Sequence, residues 1–99
     1  MAKREKMKTV VALNHDLAAR ALSLLIEDAT SMVRCNCELD GEGLPVPGTV
    51  YPEGVELIET YLQLIREIES EIGPTTMPIE GWFDDLLNRR WSLTEKAGA

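Results

Sequence analysis

Aromatic residues make up only 5% of this 99-residue chain. Aliphatic side chains must therefore carry most of any core. Histidine occurs once and cysteine twice, too few for a disulfide framework. A lone histidine also removes several enzyme classes. A carboxylate-bridged di-iron bundle needs Glu-X-X-His from two helices, and the residue three before His15 is Ala12. A Ser-His-Asp or Cys-His arrangement could use only His15, and no nucleophile motif accompanies it. Gly41-Glu42-Gly43 lacks the lysine and the strand–helix setting of a phosphate cradle. No apolar run reaches the length of a membrane span. The basic N-terminal residues are not followed by the uninterrupted apolar stretch of a signal peptide, so the sequence reads as cytoplasmic and non-enzymatic. Neither an internal repeat nor a low-complexity segment occurs.

Positive charge is also short. The net charge is −7, which argues against direct nucleic-acid binding, since that work needs a basic face to displace counterions from phosphates. Residues 1–8 hold Lys3, Arg4, Lys6 and Lys8 against Glu5, so everything beyond them is more acidic than the total suggests. This basic tip reads as a frayed N-terminus. Hydrophobic residues at 44% and charged residues at 27% nevertheless fit one globular domain.

What is present is helical periodicity. From Gly54 to Gly73, Leu57, Ile58, Tyr61, Leu62, Leu64, Ile65, Ile68 and Ile72 fall on one side of a helical wheel. Glu56, Glu59, Glu67 and Glu71 fall on the other. The spacing predicts a helix over 55–72, closed by Gly73-Pro74. A second pattern, with Val10, Leu13, Leu17, Ala21, Leu24, Leu25 and Met32 on one side, predicts a helix over 9–34. Asn14, an acceptable N-cap, is the alternative start. At the usual rise the longer version would measure about 39 Å, more than a domain of this size spans comfortably. That mismatch favours either a break near Asn14 or a homodimer that buries the excess length.

Thr75 or Thr76 offers a cap for a third helix over 77–95, with Pro78 in its first turn. Ile79, Trp82, Phe83, Leu86, Leu87 and Leu93 would form its apolar face. Between the first two helices, residues 35–54 are rich in glycine and proline and read as a connection. Leu44, Val46, Val50 and Tyr51 are the residues that could pack it down, with a short hairpin or single turn allowed. The expected fold is an all-α, three-helix bundle with a long Gly/Pro-rich connection between its first and second helices.

Candidate sites follow from residues that fit this scheme poorly. Asp28 lies in an apolar stripe, and a buried carboxylate is costly unless paired. Arg90 lies in the apolar face of the third predicted helix, so the two are expected to form a buried ion pair. Trp91 falls off that face, and exposed tryptophan is typical of binding hot spots. Together with Glu56, Glu59, Glu67 and Glu71 it forms the expected partner-binding set. Cys35 and Cys37 could hold zinc or copper only with further ligands, such as a second chain's thiolates. No cofactor is expected. The function these features favour is an acidic regulator or inhibitor that occupies another protein's surface, a basic nucleic-acid-binding protein being one class that would suit. The alternative is a metal- or redox-responsive homodimer built on the cysteine pair.

Overall fold

The computed structural model describes residues 14–94. Among them are three helices and no strand: α1 (His15–Cys35), α2 (Pro52–Ile72) and α3 (Gly81–Leu87). The expected all-α, three-helix class is what is observed. Helices α1 and α2 lie side by side and supply most of the core, through Leu22, Ile26, Ala29 and Val33 on one and Ile58, Leu62, Ile65 and Ile68 on the other. Phe83, Leu86 and Trp91 close it from one side.

Helix α1 begins where the alternative reading placed it. Asn14 has a non-helical backbone, and its side-chain oxygen accepts the Leu17 N–H at 2.9 Å. A helix running unbroken through this point would need Asn14 in helical geometry, so the single helix from residue 9 is not what forms. Residues 1–13, including the basic tip, lie outside the described residues. Asp16 in the first turn and Arg34 in the last complement the helix dipole.

Helix α2 starts three residues earlier than expected, because Pro52 occupies its first turn. There the missing N–H would have had no partner in any case. Gly54 in the same turn is buried against Asn36 at the foot of α1. At the other end Gly73 takes φ 91° and ψ 171°, a region open in practice only to glycine. Its N–H is donated to the Glu69 carbonyl at 2.8 Å.

The connection is ordered by its own hydrogen bonds. Asp40 accepts the N–H groups of Glu42 and Leu44, and Leu39 pairs with Pro45 in an antiparallel bridge. A short turn of this kind was one of the two expected forms. Thr49 clamps the segment, accepting the Glu38 N–H and donating to the Val46 carbonyl. Val50 is the packing residue, 3% exposed, whereas Leu44 and Tyr51 stay exposed at 40% and 46%.

The third helix is much shorter than the expected 77–95. It starts after Glu80, which caps it with no side-chain bond, so neither Thr75 nor Thr76 is the cap and Pro78 precedes the helix. It stops at Leu87, and Arg89 turns the chain at φ 62°. Residues 92–94 then run back antiparallel to residues 48–50, with Gly48 and Val50 donating to the carbonyls of Ser92 and Leu93.

The close approach at Gly54 carries a stability prediction. A Cβ there would meet Asn36 side-chain atoms at 2.9–3.1 Å. Gly54→Ala should therefore destabilise the protein by about 1–2 kcal/mol, the cost of overpacking exceeding the gain in helix propensity. Urea unfolding of Gly54→Ala alone and combined with Asn36→Ala measures this. The second change should make the effect of the first disappear or reverse.

Candidate functional site

An open groove of about 800 Å³ lies between the polar flank of α2 and the segment that follows α3. Glu59, Gln63, Arg66 and Glu67 line one wall, and Leu86, Arg89, Trp91 and Leu93 the other.

Arg66 builds the groove. Its Nε and Nη2 donate to the Leu87 carbonyl at 3.2 Å, and Nη2 also reaches the Leu86 carbonyl at 3.3 Å. In a continuing helix those two carbonyls would accept the N–H groups of Arg90 and Trp91. Here α3 first closes on itself: Arg89, at φ 62°, donates its N–H to the Leu86 carbonyl and Arg90 donates to the Asp85 carbonyl, a Schellman cap. The guanidinium adds donors from another helix, chiefly to the Leu87 carbonyl. Asn88 reinforces the stop, donating its side-chain amide to the Asp84 carbonyl at 2.8 Å. Burial, and secondarily the charge of Arg89, lowers the pKa of Arg66, but a guanidinium stays charged at any physiological pH.

Released from the helix, Trp91 swings inward. It is 7% exposed, and its ring lies 5.7 Å from that of Trp82. Trp82 meets Phe83 edge to face at 5.6 Å and donates its indole N–H to Glu80 at 2.9 Å. Glu80 in turn pairs with Arg34 at 3.3 Å, which also donates to the Gly43 carbonyl. One short network thus ties the connection, α1 and α3 together.

The expected site residues are divided by this arrangement. Glu59, Glu67 and Trp91 converge on the groove, while Glu56 and Glu71 lie elsewhere on the exposed surface of α2. Trp91 is a core residue whose edge reaches the groove, not a projecting hot spot, because the helix that would have pointed it outward ends four residues earlier. The Asp28–Arg90 pair does not form. Asp28 is exposed on α1, and Arg90 lies on the surface beside Asp85 at 3.3 Å and Asp84 at 3.8 Å. Its place in an apolar face existed only on the longer helix.

The cysteines differ from each other. Cys35 is exposed and Cys37 buried, and burial raises the Cys37 pKa against smaller opposing effects from Val46, Thr49 and Arg34. A desolvated neutral thiol is a poor metal ligand. Among the described residues no three His, Cys, Asp or Glu side chains gather in a way that could hold a metal ion. Within one chain the pair therefore does not amount to a binding set among the described residues. His15 is exposed in the first turn of α1. In the groove, the Ser70 hydroxyl is donated to the Glu67 carbonyl at 2.7 Å, and no histidine or cysteine lines the walls.

Glu69 is the perturbed carboxyl near the groove. Desolvation raises its pKa, opposed by the Thr75 N–H and by Arg66, with Asp84 adding to the rise. No family, curated protein or solved structure matches this chain.

Arg66 and Glu69 were not singled out in the sequence, where both read as ordinary polar-side residues of an amphipathic helix. The available signal for Arg66 is its position beside Ile65 and one turn from Leu62, where a long donor-rich side chain can cross the apolar margin.

Two measurements follow from this geometry. Arg66→Met keeps the aliphatic stem but removes the donors, and should cost about 1.5–3 kcal/mol, the range for hydrogen bonds to charged groups. Urea unfolding followed by tryptophan fluorescence will show both the loss and a red shift as residues 88–94 detach. For Glu69, a folded-state pKa above the unfolded value means that folding is favoured with the proton on. That stability is present at low pH and declines as pH rises from the unfolded pKa through the folded one. Glu69→Gln should therefore raise the melting temperature at pH 7 and leave it unchanged below the ordinary carboxylate range, as a series of thermal melts against pH will show.

Proposed function

We propose that this protein is a non-enzymatic binding module, a small cytoplasmic regulator or inhibitor that acts by occupying the basic surface of another protein. The observation that carries this reading is how its charge is held. Residues 14–94 contain fifteen acidic residues against five arginines and no lysine, a net −10. Three of those arginines are engaged within the chain: Arg34 with Glu80, Arg66 with two backbone carbonyls, and Arg90 with Asp84 and Asp85.

The exposed acids are also fixed in space. Glu53, Glu56 and Glu59 lie on the exposed surface of α2, a helix of 21 residues anchored along its length by the core. Acidic side chains at set intervals on a rigid rod present a surface complementary to an arginine- or lysine-rich face, of the kind that holds nucleic acid. The groove beside them adds the Leu93 side chain and the edge of Trp91 to an otherwise polar contact. No helix among the described residues is long and apolar enough to cross a membrane.

The test is affinity capture on the immobilised full chain, at low and at high salt. A basic protein should be retained at low salt and released at high salt, because contacts between exposed charges are screened beyond about 8–10 Å. Nucleic acid should compete for the same protein. Reversal of charge in Glu56→Lys/Glu59→Lys should weaken retention by about tenfold or more. Retention that ignores both salt and charge reversal would overturn the proposal. Trp91→Ala is not suited to this purpose, since truncating a buried tryptophan costs about 3–5 kcal/mol and acts on the fold.

A further inference from the structure

Arg89 stands where a helix end usually has glycine. It turns the chain left-handed after α3, at φ 62°, and among the described residues no other non-glycine residue has a positive φ. A side chain in this conformation crowds its own backbone, which is why glycine is preferred there. Strain of this kind persists only where the surroundings impose it, and it collects at ligand sites.

The fold makes no use of the Arg89 side chain. Its guanidinium has neither a hydrogen bond nor an ion pair among the described residues, and it lies exposed in the groove beside α2. Arg66 lines the same groove, held in place by the Leu86 and Leu87 carbonyls through Nε and Nη2, while its Nη1 has no partner among the described residues. The two guanidinium groups are near enough that Arg89 is, after burial, the second cause of the lowered Arg66 pKa. Like charges brought together repel unless an opposite charge joins them. Gln63, three residues before Arg66 on the same wall, also keeps its side-chain amide unbonded among the described residues. Around these donors the groove is apolar, through Leu62, Leu86, Leu93 and the edge of Trp91.

We propose that this end of the groove binds a small ligand carrying one oxyanion on an apolar body. The oxyanion lies between the guanidinium groups of Arg66 and Arg89, and the body lies along Leu62, Trp91 and Leu93. Guanidinium forks match the paired oxygens of a carboxylate or a phosphate monoester. The acids of the groove bound the site. Glu59 is two turns from Arg66, about 10 Å along the helix, and Glu67 is turned about 100° further round it, so a negative charge is accepted only where the arginines meet. The site does not rest on the proposed protein partner. Removing Arg89 leaves every α2 carboxylate in place, so either assignment can fail alone.

Titration of the 15N-labelled full chain at low salt tests it, with the Trp91 indole N–H as the reporter. The probes are phenyl phosphate, phenylacetate and, as an uncharged control, benzyl alcohol. Saturable shifts are expected with at least one anion, the tighter of the two naming the oxyanion, and with affinity about tenfold or more above that for the alcohol. Arg89→Gly should weaken anion binding by about tenfold or more. It should also raise the urea unfolding midpoint, because glycine relieves the left-handed turn. Opposite movement of binding and stability marks a residue kept for a ligand, whereas an arginine kept for the fold would lower the midpoint when removed. Three other results overturn the proposal: no saturable shift with either anion, an alcohol that binds as tightly as the anions, or an Arg89→Gly protein that binds as tightly as the wild type.

Discussion

The fold depends on where α3 stops. A helix end needs partners for its orphan acceptors. Here the left-handed turn at Arg89 returns two N–H groups to the Leu86 and Asp85 carbonyls, while Arg66 reaches across from α2 to Leu86 and Leu87 at 3.2–3.3 Å. Everything downstream follows from that helix end. The chain turns at Arg89, Trp91 enters the core beside Trp82, and residues 92–94 pair with 48–50. That pairing in turn holds down a connection that has few apolar side chains of its own. One helix end, capped by its own backbone and braced by Arg66, therefore joins an aromatic cluster to the anchoring of a loop.

The arginine contacts also shape the electrostatics. With Arg34, Arg66 and Arg90 committed to partners inside the chain, few cations remain to offset the acids of residues 14–94. The groove beside α2 is open and of mixed polar and apolar lining. Its walls have surface for contact with a macromolecule, while its one hydroxyl at Ser70 is already donated to the backbone. Glu69 on α2 is an acid whose desolvation makes its ionisation work against folding, opposed by the Thr75 N–H and the charge of Arg66.

One side of the α1–α2 pair is closed by α3 and the returning chain. Away from it, Leu17, Leu24 and Leu57 are exposed. Asp28, which fits a core position poorly, is exposed on α1, so its charge is not buried.

The sequence by itself determined the helices α1 and α2, because an amphipathic period over 21 residues leaves a chain little choice about where its apolar stripe goes. It also determined the stop at Gly73-Pro74 and the irregular connection, each set by local backbone chemistry, whereas it offered the cap at Asn14 only as the alternative to a helix starting at residue 9. Only the tertiary structure decided the length of α3. Residues 81–95 carry enough helical period to continue, and neither Gly81 nor Asn88 forbids it. The break is a left-handed turn at Arg89, a conformation a non-glycine residue seldom adopts, braced by Arg66 from another helix; nothing in the local pattern announces either. Trp91 and Arg90 were misplaced for that one reason. A helical wheel extended past a helix's true end sends a core residue to the surface and a surface residue to the core.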